Sequence, residues 1–193
     1  MRPARSTTAG TIFVQDKEYR EQRRHESAHS LGFLGVAAAD QYHMGLPDGR
    51  LQLGAYVTQI ATTASLIARR DAIDAIVTFG EHGYCGHGDH VAAHRAALLA
   101  QRILNIHRYR LPLFLLNQHG EGEARVHVDE SQKLGALAFH RTQMHFVEDN
   151  TGTPQPEPDF FAKLHKTYGP LFTSETYDIT LRPNSSQLYG YAA

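Results

Sequence analysis

The chain predicts an α/β domain, with a mostly parallel sheet and helices on both faces. Two observations point there. Between Leu51 and Leu116, segments with helical apolar spacing alternate with short continuous apolar runs in the order helix, strand, helix, strand, the pattern of crossover units covering a parallel sheet. The apolar run ending at Phe79 also crosses a glycine-rich loop into an Ala- and Leu-rich segment, which is how a strand delivers side chains to the rim of such a sheet.

The elements follow in order. Residues 1–11 are small and polar and predict a flexible start, and Ile12-Phe13-Val14 is short for a strand. From about Lys17 to Phe33 a charged first half leads to an apolar side at Ala28, Leu31 and Leu34, an amphipathic helix ending near Gly35. Residues 36–44 predict a short strand leading to the turn Leu46-Pro47-Asp48-Gly49, where Pro and Gly set the backbone angles. Leu53, Val57, Ile60, Ala64 and Ile67 recur at spacings of four and three, so Leu51 to Arg69 is a helix. Asp74 to Phe79 is a buried strand, Val91 to Ile106 a helix, and Leu111 to Leu116 a strand with Pro112 at its start. Ala124 to Asp129 alternates like an edge strand, and Glu130 to Phe146 reads as a helix with Asp129 as its N-cap. Glu148 to Pro158 is a loop, a short helix covers Phe160 to His165, and the aromatic stretches of the last thirty residues carry no assignable pattern.

Composition narrows the class of function. The 193 residues, 41% of them hydrophobic, suit a single domain over 1–193. A net charge of -1 without a block of like charges gives nucleic acid and membrane surfaces no purchase. A single cysteine, Cys85, excludes an internal disulfide and fits a reducing, cytoplasmic setting. There is no apolar run of about 18 residues and no apolar segment behind the basic start.

Histidine is the unusual entry, with thirteen in the chain and His87, His90 and His94 within one short stretch. His87-Gly88-Asp89-His90 lies where the loop meets the helix, so its backbone N–H groups are expected to face an anion or a developing oxyanion. Neutral imidazole ligates zinc, and an adjacent carboxylate can fix an imidazole tautomer. His90 and His94 are one helical turn apart, and a metal site built from His87, His90 and His94 alone is one arrangement the spacing allows.

Gly-Tyr-Cys-Gly-His87-Gly-Asp89-His90-Val-Ala-Ala-His resembles the signature Gly-His-Pro-Asp-His of the PIG-L/LmbE-like deacetylases. Three further segments are similar to that family in the same order: Arg20 to Glu26 with Leu34-Gly35-Val36, the turn Met44-Gly45-Leu46-Pro47-Asp48-Gly49-Arg50-Leu51, and Val128-Asp129 followed by Lys133, Ala136, Leu137, His140, Arg141 and Gln143. The resemblance implies a Rossmann-like fold and zinc-dependent removal of an N-acetyl group from an N-acetylglucosamine-type sugar. It implies His90 as a zinc ligand, His87 as the group stabilising the tetrahedral intermediate, Asp89 as the orienter of a histidine, and Arg23 and Asp48 as sugar contacts. A protonated His87 would donate to the oxyanion.

The chain departs from the family pattern in two ways. Gly88 stands where the family has proline, and Cys85 where some members have a tyrosine that assists catalysis. The family's first signature, His-Pro-Asp-Asp, is absent, since no histidine precedes His25. By the resemblance that segment supplies two more zinc ligands and the general base. The chain therefore reads as a truncated, inactive form lacking the first strands, whose apolar sheet edge would favour a homo-oligomer. The alternative is a non-catalytic sugar- or protein-binding relative acting through Arg23 and Asp48.

Overall fold

The computed structural model describes residues 17–117, 121–143, 146–148, 154–156 and 173–180. The expectations for 1–16 and for a helix over 160–165 lie outside these residues, as does the side chain of Cys85. The chain forms two compact units, one holding 17–43 and the described residues of 131–163, the other 44–130 and 173–180.

The first unit is built on α1 (Lys17–Phe33), whose buried positions, Glu26 and Ser30, are polar and one turn apart. Gly35, at φ 89, ends the helix, and the Val36 N–H reaches back to the Leu31 carbonyl at 3.0 Å, the wrap-around that closes helices at a left-handed glycine. The strand expected over 36–44 does not form. A 3₁₀ turn at Ala38–Asp40 follows instead, and the Gln41 amide donates to the carbonyls of Val36 and, back in α1, Ala28, so one backbone acceptor of the segment is met by a side chain.

The helix expected over Glu130 to Phe146 is α5 (Glu130–Leu137), followed by a 3₁₀ turn at Arg141–Gln143. Glu26 explains the break: its carboxylate accepts the Thr142 N–H at 2.9 Å and the Thr142 hydroxyl at 2.6 Å, drawing the chain off the helical path. Phe139 stacks on His29 at 6.1 Å and tilts against Phe33 at 5.7 Å. Within the expected 148–158 loop, β5 (Pro154–Pro156) pairs antiparallel with β4 (Phe146–Glu148).

The second unit carries a four-stranded sheet in the order β1-β2-β6-β3, from β1 (Ile76–Phe79), β2 (Leu113–Asn117), β3 (Ala124–His127) and β6 (Ser174–Thr180). β1 and β2 are parallel, and β6 runs antiparallel to both β2 and β3. The α/β class is the expected one, with its parallel pairing at the β1–β2 side and β3 at an edge, as its alternation predicts. The strand the sequence did not mark is β6, which sits inside the sheet. β1 is not the buried strand expected over Asp74 to Phe79: it is the other outer strand of the described sheet, its residues are at most partly buried, and Val77 is 64% exposed.

Three helices complete the unit. They are α2 (Gly54–Arg70), the four-residue α3 (Gly83–Gly86) and α4 (Gly88–Ile106). Ala61 of α2 meets Ala96 and Ala100 of α4, with Ile76 packed against the three. Alanines at this seam bring the helices close. Leu98, Leu113 and Leu115 join α4 to β2. Gln101, fully buried, donates to the carbonyls of Leu111 at 2.8 Å and Thr180 at 2.7 Å, so one amide ties α4 to the approach to β2 and the end of β6. Among the described residues no helix is long and apolar enough to cross a membrane.

Candidate functional site

The site begins where β1 ends. The chain turns through Gly80 to Gly86 and enters α4 at Gly88, with His87 as its N-cap. A glycine is required at position 83. Its φ is +62, and an added Cβ would stand 2.8 Å from the Val91 nitrogen and 2.9 Å from the His90 Cβ. That backbone aims the Gly83 carbonyl at His90, whose Nδ1 lies 2.9 Å from it.

A carbonyl only accepts, so His90 Nδ1 carries the proton and Nε2 is the basic nitrogen of the ring. This is the arrangement of a metal-ligating histidine whose other nitrogen is held by the backbone. The ring lies flat on Phe79, with centres 4.1 Å apart and planes 7° apart, which fixes its rotation.

His87 is held in the opposite sense. Its Nδ1 accepts the Asp89 N–H at 3.3 Å as the helix cap. In the neutral ring the proton is therefore on Nε2, which makes that atom the donor. The two rings lie 5.0 Å apart. The backbone N–H groups expected to face an anion are partly committed inside the loop: Gly86 donates to the His82 carbonyl, Asp89 to His87 Nδ1 and His90 to the His87 carbonyl.

Asp89 is 8% exposed. The bonds to its carboxylate come from the turn after Asp48: Oδ2 accepts the Gly49 N–H at 2.5 Å and Oδ1 the Leu51 N–H at 2.9 Å. Gly49 has φ +74, the left-handed region where glycine is at home. Asp89 meets His87 through its backbone N–H, and its side chain through the turn, so Asp48 joins the histidine loop. Gln52 adds a second link, donating to the Gly49 carbonyl at 3.3 Å while its Oε1 lies 3.4 Å from where a Cβ at Gly88 would stand.

His94 is only 4% exposed. Its Nδ1 lies 2.9 Å from the Phe79 carbonyl, and burial lowers its pKa. Packing is its visible role, one turn beyond His90.

Arg23 belongs to the other unit. There, the half-buried His140 has its pKa lowered by desolvation first, with the Glu26 carboxylate opposing and the Arg23 guanidinium reinforcing that shift. Glu26 is buried at 8% exposure and anchored by Thr142. Glu26 and His140 were visible in sequence only as parts of matched motifs, and Thr142 had no signal, since nothing local says that a charged helix buries one carboxylate. Gln52, Phe79 and Gly83 had no signal of their own.

Among the described residues, no group of three or more His, Cys, Asp or Glu is placed to hold a metal ion. His90 fits a ligand, but the described residues do not by themselves make a zinc site.

Comparison with known proteins adds two findings. Residues 4–101, about half of the chain, match the family described as PIG-L: GlcNAc-PI de-N-acetylase. The chain is also 34% identical over 135 residues to the 1D-myo-inositol 2-acetamido-2-deoxy-alpha-D-glucopyranoside deacetylase of Thermomonospora curvata, a match spanning 65% of this chain and 41% of the relative. The chain thus spans less than half the length of that relative. No solved structure gives a significant match.

Proposed function

The chain belongs to the PIG-L family, and from that premise we propose that it serves the removal of the N-acetyl group from an N-acetylglucosamine-type sugar conjugate. The conjugate we favour carries an inositol, as in the name of the relative. The observation that carries the reading is the pairing of two imidazoles held in opposite senses, His90 presenting a basic nitrogen and His87 an N–H, 5.0 Å apart.

Amide hydrolysis needs both. A metal held in part by His90 would supply the activated water and polarise the carbonyl. Among the described residues no group of three or more His, Cys, Asp or Glu completes such a site. His87 Nε2–H would donate to the carbonyl oxygen as negative charge builds there. Asp48 would accept a sugar hydroxyl, its turn held by Asp89.

The test is acetate release from N-acetylglucosaminyl-inositol, with zinc, by the protein expressed with whatever upstream reading frame its gene carries. His87→Ala should lower release by at least about 100-fold, and His90→Ala should abolish it and weaken zinc binding. Release that survives both replacements sinks the reading. Sugar binding without any release, lost in Asp48→Ala and indifferent to chelator, would establish the non-catalytic relative instead.

A further inference from the structure

We propose that Asp89 is a positioning residue whose side chain sets the Asp48 turn in place. Three observations converge on this. First, both carboxylate oxygens are engaged by backbone N–H groups that follow Asp48, Gly49 on Oδ2 and Leu51 on Oδ1. A buried carboxylate accepting two N–H bonds is a strong tie, because bonds to an ionised acceptor are about twice as strong as neutral ones. Second, what reaches His87 from residue 89 is the backbone N–H, which any residue there would provide. Third, the Gln52 side chain, bound to the Gly49 carbonyl, lies beside Gly88, its Oε1 3.4 Å from where a Cβ there would stand.

The turn and the histidine loop are thus one assembly joined across about forty residues of chain. The distance from Asp48 to the imidazoles is set by Asp89, and so is the distance from a hydroxyl held by Asp48 to an N-acetyl group beside His87 and His90. The sugar in this statement rests on the deacetylase reading. The clamp does not.

The experiment is NMR on the full chain. In the wild type, scalar couplings across the hydrogen bonds should connect the Gly49 and Leu51 amide nitrogens to the Asp89 carboxylate carbon. Asp89→Asn should speed amide exchange at Gly49 and Leu51 by about tenfold or more, leave the His87 ring nitrogens in the wild-type pattern, and weaken N-acetylglucosamine binding by about tenfold. Asp89→Glu, which keeps the charge on a longer arm, should recover part of the amide protection. Missing couplings in the wild type, or an Asn variant that alters the His87 ring while Gly49 and Leu51 exchange as before, would overturn the proposal. The couplings need no variant to fold. Couplings present in a protein that, expressed with its upstream reading frame, releases no acetate would remove the deacetylase reading and leave the clamp standing.

Discussion

The imidazoles of His87 and His90 lie 5.0 Å apart and use the same nitrogen in opposite ways. Nδ1 of His87 accepts from the Asp89 N–H, and Nδ1 of His90 donates to the Gly83 carbonyl. Two residues of one type, three apart in sequence, thereby differ in which ring nitrogen carries the proton. The backbone sets this difference: an N-cap offers a donor to one ring and a left-handed glycine offers an acceptor to the other.

Gly83 should therefore tolerate no side chain. In Gly83→Ala the positive φ costs about 1–2 kcal/mol, and the new Cβ meets the Val91 nitrogen at 2.8 Å and the His90 Cβ at 2.9 Å. Urea denaturation should show a loss above that figure, and the His90 ring should lose its single tautomer. A neutral substitution would mean that the loop is not held as described.

Gly88 should accept proline. It is the first residue of α4, where a missing N–H costs least, and His87 before it is already extended at φ -66, ψ 128, as a residue preceding proline must be. Gly88→Pro should stabilise the chain by about 0.4–1 kcal/mol through the unfolded state, read as a shift in denaturation midpoint. Destabilisation would show that the Gln52 contact outweighs it.

In the other unit, Glu26→Ala strands the Thr142 N–H and hydroxyl and should cost about 1–3 kcal/mol. Glu26→Gln keeps an acceptor and should cost less. Equal losses in the two variants would argue that the Thr142 bonds contribute little.

Stability should fall in mild acid. Burial lowers the pKa of His94 and of His140 from the ordinary 6.5, so between the lowered values and 6.5 the unfolded chain binds more protons than the folded one. Stability then rises with pH in that window. It is fully present above about pH 6.5 and is lost as pH falls through the lowered values. Urea midpoints measured across this range should drop toward acid, and His94→Gln should flatten the drop. A midpoint that rises on acidification would contradict the burial of both rings.

Much of this was legible in the sequence where a pattern is local. The spacing in α2, the apolar run of β1 and the Gly-His stretch opening α4 each announce themselves within about a dozen residues. The misses depend on distant partners. β6 is a seven-residue strand whose place between β2 and β3 is decided by pairing with segments far away in sequence. Residues 36–44 look like a strand until the Gln41 amide satisfies their carbonyl, and the helix through 137 stops because Glu26, more than a hundred residues away, takes Thr142. The site divides the same way. His87 and His90 can be named from spacing. Their tautomers and the partners of Asp89 cannot, because these rest on a left-handed glycine and on a turn forty residues upstream.

The central claim is the division of labour between the two histidines, and ring nitrogen NMR of the chain labelled with ¹⁵N-histidine tests it most directly. Near pH 8, above the ordinary imidazole pKa, the account predicts opposite tautomers: His90 protonated on Nδ1 with a basic Nε2, and His87 protonated on Nε2 with a basic Nδ1. The same tautomer in both rings, or the reverse assignment, would contradict it.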